Sequence, residues 1–241
     1  MSQPAVAIIG MGKMGQAVAE IARQRQWHIA ASITAHDGPL TRDKLAGADV
    51  AIEFTDPTAA VANARACLAA GCPIVVGTTG WYDELPGLEA EVVRAGGALL
   101  WAANFSVGAQ VLISLAAEAA RLLRGSGAAF DAHVTETHHA TKKDAPSGTA
   151  GMISRSASEA LGHSVPVTSV RVGHVPGNHD VIFDAAYEQL RLEHIVRDRR
   201  VFAEGALVAA AWLVAESRAG VFTMRDVVAG PPRRAGNGSA S

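Results

Sequence analysis

Cysteine is scarce: Cys67 and Cys72 are the only two in 241 residues. Their spacing matches neither a zinc site nor a redox Cys-x-x-Cys, so both are expected as buried free thiols. Long apolar runs are also missing, and a chain with no segment long and uninterrupted enough to cross a bilayer is expected to be soluble. Charge of one sign is not concentrated anywhere, and the net charge is -2. That balance predicts neither a nucleic-acid nor a membrane surface, and points to a small-molecule partner. The opening Met-Ser-Gln-Pro and Ala5-Val-Ala-Ile-Ile9 has no basic region and no long apolar stretch of the signal-peptide kind. It is read as a first strand, and the expected location is cytoplasmic. There is no internal repeat.

What is present is enough apolar sequence for a core, in a length that suits one large domain or two small ones, and two is the reading. From Val6 to about Phe105, short apolar runs alternate with Ala-rich segments, the pattern of strand-helix-strand units around a doubly wound parallel sheet. Strands are expected at Val6 to Ile9, Ile29 to Thr34, Val50 to Phe54, Ile74 to Gly77 and Ala98 to Trp101. Helices are expected at Gln16 to Arg25 and Thr58 to Ala70, the second opened by Asp56-Pro57 as cap and first-turn proline. After Val107 come a long helix from about Gln110 to Leu123, a strand at Phe130 to Thr137, and a helix from Ala150 to Ala160. Further strands follow at Val167 to Val172, His179 to Ala185 and Gln189 to Ile195. Strands returning this closely favour a mixed or antiparallel sheet, hence a C-terminal α+β unit. A last helix, about Gly205 to Glu216, leads back toward the first unit, and the tail from Pro231 to Ser241 reads as frayed. The division drawn is 1–105 with 213–241, and 106–212.

The first strand runs into Gly10-Met11-Gly12-Lys13-Met14-Gly15, and a helix follows. Glycines there permit a tight turn, close backbone approach to a pyrophosphate and close helix packing, while the helix start offers amides to phosphate. The ribose position falls about twenty residues on, at the end of the second strand. There stand Thr34 and Ala35, with Asp37 beyond. No carboxylate at Thr34 repels a 2'-phosphate and Lys13 can reach one, so NADPH with NADH also accepted is the expectation. Gly77-Thr78-Thr79-Gly80 and Ala102-Ala103-Asn104-Phe105 follow the fourth and fifth strands, where ligands of open α/β sheets bind.

The densest chemical signal is Glu136-Thr-His138-His139-Ala-Thr-Lys142-Lys143-Asp-Ala-Pro-Ser147-Gly148-Thr149-Ala150. Adjacent histidines at a strand end point to opposite faces, so one of them serves a given substrate atom more easily. Ser147 or a neighbour can cap the following helix and leave the amides of Gly148 and Thr149 free for a carboxylate. Lys142 can add a point charge to that anion, and His138 can donate a proton near neutral pH. A metal is not expected: no Glu or Cys stands at zincin spacing, and the lysines oppose a cation.

These blocks together resemble the dihydrodipicolinate reductase family over nearly the whole chain. The resemblance adds Phe54-Thr55 with Pro57, Ser106 to Gly108, Arg171-Val-Gly173 with Gly177 and His179, and Phe202-Ala-Glu-Gly-Ala206. It implies a Rossmann-type cofactor domain, a mixed-sheet domain for substrate and oligomerisation, and a homotetramer. By resemblance, His138 is the acid/base and Lys142 the second catalytic group; His139, Gly148 and Thr149 bind substrate. The loops Gly77 to Thr79 and Ala102 to Phe105 contact the nicotinamide. The implied reaction is NAD(P)H-dependent reduction of a cyclic imine dicarboxylate in the diaminopimelate and lysine pathway. There are two departures from the family: Glu53 stands for its usual Asp, and Thr34 with Ala35 replaces the acid or Arg common at the ribose position. The alternatives are another two-domain dehydrogenase of amino-acid metabolism, which has no need of the His-His-x-x-Lys block, and a non-catalytic dinucleotide sensor, which could lose His138 and Lys142.

Overall fold

The structure, a computed structural model, describes residues 3–229. The tail expected to fray, 231–241, lies outside them. The first half is a sheet of six parallel strands in the order β10-β5-β4-β3-β1-β2. These strands are β1 (Val6–Ile9), β2 (Ile29–Ile33), β3 (Val50–Glu53), β4 (Ile74–Val76), β5 (Ala98–Trp101) and β10 (Gly220–Thr223). Every residue of β1, β3 and β4 is buried, as expected for parallel strands covered on both faces. The period of two divides them between two cores. Val6, Ile8, Val50 and Ile52 face α1 (Lys13–Gln24) and α6 (Arg200–Val214). Ala7, Ile9, Ala51, Ile74 and Val76 face α2 (Pro57–Ala70) and α3 (Leu85–Ala95). Asp56 caps α2 by accepting from the Thr58 amide at 2.9 Å, ahead of a first-turn proline.

Cys67 and Cys72 are buried and free within the second of these cores. Burial pushes both thiols up, Cys72 to about 11, which leaves them as small apolar side chains rather than nucleophiles.

The second half packs α4 (Val107–Ser126) and α5 (Gly148–Leu161) on one face of a sheet ordered β7-β6-β8-β9. Its strands are β6 (Asp131–His138), β7 (Val167–Arg171), β8 (Asn178–Asp184) and β9 (Gln189–Ile195). β6 pairs parallel with β7 and antiparallel with β8, so the sheet is mixed, as expected. Ala132 and Val134 of β6 and Val181 and Phe183 of β8 meet Leu112, Ala116, Ile153 and Ala157. The opposite face carries the partly exposed His133, Thr135 and Thr137 together with exposed Val170 and Ile195.

Three features differ from expectation. The last long helix starts at Arg200 rather than Gly205, because Asp198 accepts from the Arg200 amide at 2.8 Å and starts the turn earlier. Three elements were not among those expected: α3, β10 and α7 (Met224–Ala229). β10 is a half-buried edge strand of four residues. Finally, the division placed at residue 213 falls inside α6, whose Ala203, Ala206, Leu207 and Ala210 already lie in the first core with α1 and β1.

α6 reaches that core through Gly205. A Cβ at this position would stand 1.7 Å from the Phe105 carbonyl oxygen. Alanine favours a helix interior by about 1 kcal/mol over glycine, yet Gly205→Ala is expected to destabilise the fold by about 1 to 3 kcal/mol through overpacking. Chemical denaturation checks this, and an unchanged or raised midpoint would show that α6 does not lie on Phe105.

Candidate active site

The carboxyl ends of the parallel strands share one edge, and three loops leave it there. In the first, Gly10 has φ +91°, and a Cβ on it would stand 2.1 Å from the Phe54 carbonyl oxygen; one on Gly15 would stand 1.8 Å from the carbonyl of Gly10. Neither position admits a side chain. Gly12, by contrast, has nothing within 4 Å of such a Cβ, and it N-caps α1 with no side chain closing the helix start. The first amides of α1 thus face open space beside exposed Lys13, while Met11 and Met14 pack against the core beneath. This cradle fits a dinucleotide pyrophosphate. At the end of β2, Thr34 gives both its amide (2.7 Å) and its hydroxyl (2.8 Å) to the Asp37 carboxylate. These bonds hold Asp37 below the usual carboxylate range.

In the second loop, Gly77 is required by the Phe54 ring, which a Cβ would meet at 2.0 Å. Buried Thr78 accepts from the Thr55 amide at 2.8 Å and from Trp81 Nε1 at 2.7 Å, which leaves Thr79 exposed at the rim. The carboxyl of Glu53, fully buried below, is raised by that burial against the hydrogen bonds of Thr55 and Thr78. In the third loop, Ala102 and Phe105 are buried and Ala103 is exposed. Asn104 accepts from the Ser106 amide at 2.7 Å and donates its Nδ2 to Thr149 Oγ1 at 2.9 Å. That bond joins the first half to the second. A cavity of about 810 Å³ opens next to Asn104 between α4, α5 and the end of β10, but His138, Lys142 and the glycine loop do not line it.

The second half brings its groups to the same place from β6. Residues 132, 134, 136 and 138 share its buried face, so the apolar row that packs on the helices ends in Glu136 and His138. Glu136 is fully buried and takes His138 Nδ1 on one oxygen; on the other it takes Arg171 Nη2 at 2.7 Å and the Ser147 amide at 3.2 Å. Burial opposes its ionisation, but hydrogen bonds from Arg171, Ser169 and His138 outweigh it and hold the carboxyl down to about 2. Burial also pulls His138 below the usual imidazole value; Glu136 opposes this, and Lys142 and Arg171 add to it. His179, opposite Glu136 on β8, meets the His138 ring edge-on at 5.4 Å. Burial first, then the charge of His138, lowers it to about 4, so it stays neutral.

Ser147 caps α5, accepting from the Ala150 amide at 3.2 Å, and Gly148 follows with no atom near the place of its missing side chain. Lys142 is largely buried and pairs with Asp144 at 2.8 Å, whereas Lys143 is exposed. His139 lies just past β6, half-buried, with Nδ1 on the Thr141 hydroxyl at 2.8 Å. The structure thus gathers His138, Ser147 to Thr149 and Asn104 through direct bonds, with Lys142 close enough for its charge to act on His138. Roles for Glu136, Arg171 and His179 were not anticipated. The spacing of two between Glu136 and His138 in a strand was the available signal.

Comparisons with known proteins bear on the family and the fold. Residues 4–105 match the family model described as dihydrodipicolinate reductase, N-terminus, and residues 108–228 match dihydrodipicolinate reductase, C-terminus. A 4-hydroxy-tetrahydrodipicolinate reductase of Christiangramia forsetii is 32% identical over 92% of this chain and 97% of its own. One from Methanopyrus kandleri is 39% identical over 78% and 74%. Among solved structures, a dipicolinate-bound dihydrodipicolinate reductase from Paenisporosarcina sp. TG-14 superposes with TM-score 0.76, at 23% identity, over 92% of this chain and 98% of that one. With both halves matched end to end, the Rossmann-type parallel sheet and the mixed sheet are the two parts of one fold, and the chain belongs to the dihydrodipicolinate reductase family.

Proposed function

We infer that this chain is an NAD(P)H-dependent oxidoreductase that reduces the cyclic imine dicarboxylate 4-hydroxy-tetrahydrodipicolinate, or its dehydrated form, to tetrahydrodipicolinate. The observation that carries the reading is the hydrogen-bonded group His138, Glu136, Ser147 and Thr149, tied through Asn104 to the cofactor edge. A non-catalytic sensor has no use for a buried carboxylate on an imidazole beside a helix start.

When bound, the reduced nicotinamide supplies the hydride; Gly10 to Gly15 would hold its pyrophosphate, and Gly77 to Thr79 with Ala102 to Phe105 its nicotinamide end. In the substrate half, the amides of Gly148 and Thr149 at the start of α5 hold a substrate carboxylate, with His139 alongside and Lys142 adding positive charge. As the ring takes up electrons, that positive field stabilises the developing negative charge. His138 delivers the proton. Its depressed pKa makes the imidazolium a stronger acid, and two substrate carboxylates arriving nearby favour its protonation in the complex. The Asn104 to Thr149 bond helps hold the halves closed over the ring and keep water out.

The same proposal divides the chain into a cofactor domain, 1–105 with the segment from α6 onward, and a substrate and oligomerisation domain between them. It also includes a homotetramer and a cytoplasmic location. Exposed Val170 and Ile195 on the uncovered face of the mixed sheet support self-association, and two buried free thiols suit a reducing compartment. Among the described residues no helix is long and apolar enough to cross a membrane.

His138→Gln is expected to lower kcat by about a hundredfold or more, as loss of a general acid does, while cofactor affinity and competitive inhibition by dipicolinate change little. Full turnover in this variant would remove His138 from the reaction. Both dinucleotides should be accepted, with NADPH preferred. Lys13 stands exposed at the start of α1, and Asp37 is turned back on Thr34. Lys13→Ala should raise KM for NADPH about tenfold or more, the loss of one charge-assisted contact, and leave NADH nearly unchanged. Equal weakening of the two cofactors would show that Lys13 does not meet the 2'-phosphate.

A further inference from the structure

Glu136 has no exposed surface and sits where three substrate-facing elements meet. It takes His138 Nδ1 directly. Its other oxygen takes the amide of Ser147, the residue that caps α5 and so fixes where the Gly148 and Thr149 amides point. The same oxygen takes Arg171 Nη2 at 2.7 Å, and that nitrogen also donates to the Asp144 carbonyl at 2.6 Å. Asp144 in turn holds Lys142 at 2.8 Å. The proton donor, the helix start and the lysine therefore all trace back to one buried ion pair on neighbouring strands, with Arg171 in register beside His138.

We propose that Glu136 and Arg171 are positioning residues of the reduction, which fix His138 with Nε2 toward substrate and jointly set how readily its imidazole holds a proton. This rests on the reading of His138 as proton donor. With Nδ1–H given to Glu136, the neutral ring has only Nε2 left to take up and deliver the catalytic proton. Gly177 leaves that atom accessible: a Cβ there would stand 2.9 Å from His138 Nε2. The two charges act in opposite senses. A lone carboxylate on Nδ1 would hold the proton on the ring, whereas Arg171 shares that carboxylate and offsets its pull. The other groups around the imidazole are Lys142 from the loop after β6, with Asp144 bonded to it, neutral His179 from β8, and His194 stacked behind His179 at 6.3 Å from β9. None of these shares the carboxylate that joins Arg171 to the ring through Glu136.

A pair that merely stabilised the fold would lower activity when broken, without moving its pH dependence in a direction set by charge. The test is the pH profile of kcat/KM for wild type, His138→Gln, Glu136→Gln and Arg171→Met. The wild type should lose activity on the alkaline side as His138 deprotonates. Removing the negative charge in Glu136→Gln should move that limb to lower pH by about one unit or more. Removing the positive charge in Arg171→Met should move it to higher pH. In Glu136→Gln, kcat should fall about a hundredfold with KM and dipicolinate inhibition little altered, and Glu136→Asp should recover part of it.

If His138→Gln keeps the wild-type limb, the assignment of the proton donor fails. If the limb vanishes in His138→Gln but stays in place, or moves the same way, in the other two variants, the proposal fails by itself. Should either buried variant not fold, nitrogen-15 NMR of the wild-type histidines above their titration decides. Neutral His138, assigned by its absence in His138→Gln, should carry its proton on Nδ1, and an Nε2–H tautomer would overturn the proposal.

Discussion

A carboxylate with no exposed surface, kept ionised by Arg171, is the constraint on which the substrate half depends. An ionised group in a dry interior is tolerated only if it is paired and its oxygens are hydrogen-bonded. Glu136 meets that condition by drawing in an imidazole, a guanidinium and the amide ahead of α5, and these are the groups the chemistry needs held still. Its place follows from the strand. The alternation that puts Ala132 and Val134 under α4 and α5 carries Glu136 and His138 along the same face to the end nearest the cofactor half.

The cofactor half answers to a different constraint, close approach of backbone to backbone. Gly10, Gly15 and Gly205 each stand where a Cβ would fall within about 2 Å of a carbonyl oxygen, so loops and helices pack at distances other residues forbid. Parallel strands then place all three cofactor loops on one edge, and Asn104, in the loop between β5 and α4, reaches Thr149 across the gap. Chemistry divided between two halves is joined at that edge.

Much of this was legible in the sequence because it rests on local rules. β1 and β5 start and end where the apolar runs do, β9 where the alternation does, the Asp56 and Ser147 caps mark their helices, and the glycine loop falls between strand and helix as its spacing requires. Less legible was whatever depends on partners distant in sequence. β10 is four residues that become a strand only by lying beside β5, and α6 belongs to the first core through contacts with α1. In the site, His138 and Lys142 stood out by residue type, and the block from Glu136 to Ala150 contained Glu136 without indicating that it is buried. Arg171, 35 residues beyond Glu136, comes to it only because β7 pairs parallel with β6.

The most direct test of the account is to generate the cyclic imine dicarboxylate freshly and follow oxidation of NADPH and of NADH by the purified protein. One reduced cofactor should be consumed for each imine, with either dinucleotide, and dipicolinate should slow the reaction in competition with the imine. Binding of both ligands with no oxidation of either cofactor would contradict it, and would make the chain a sensor built on a reductase fold.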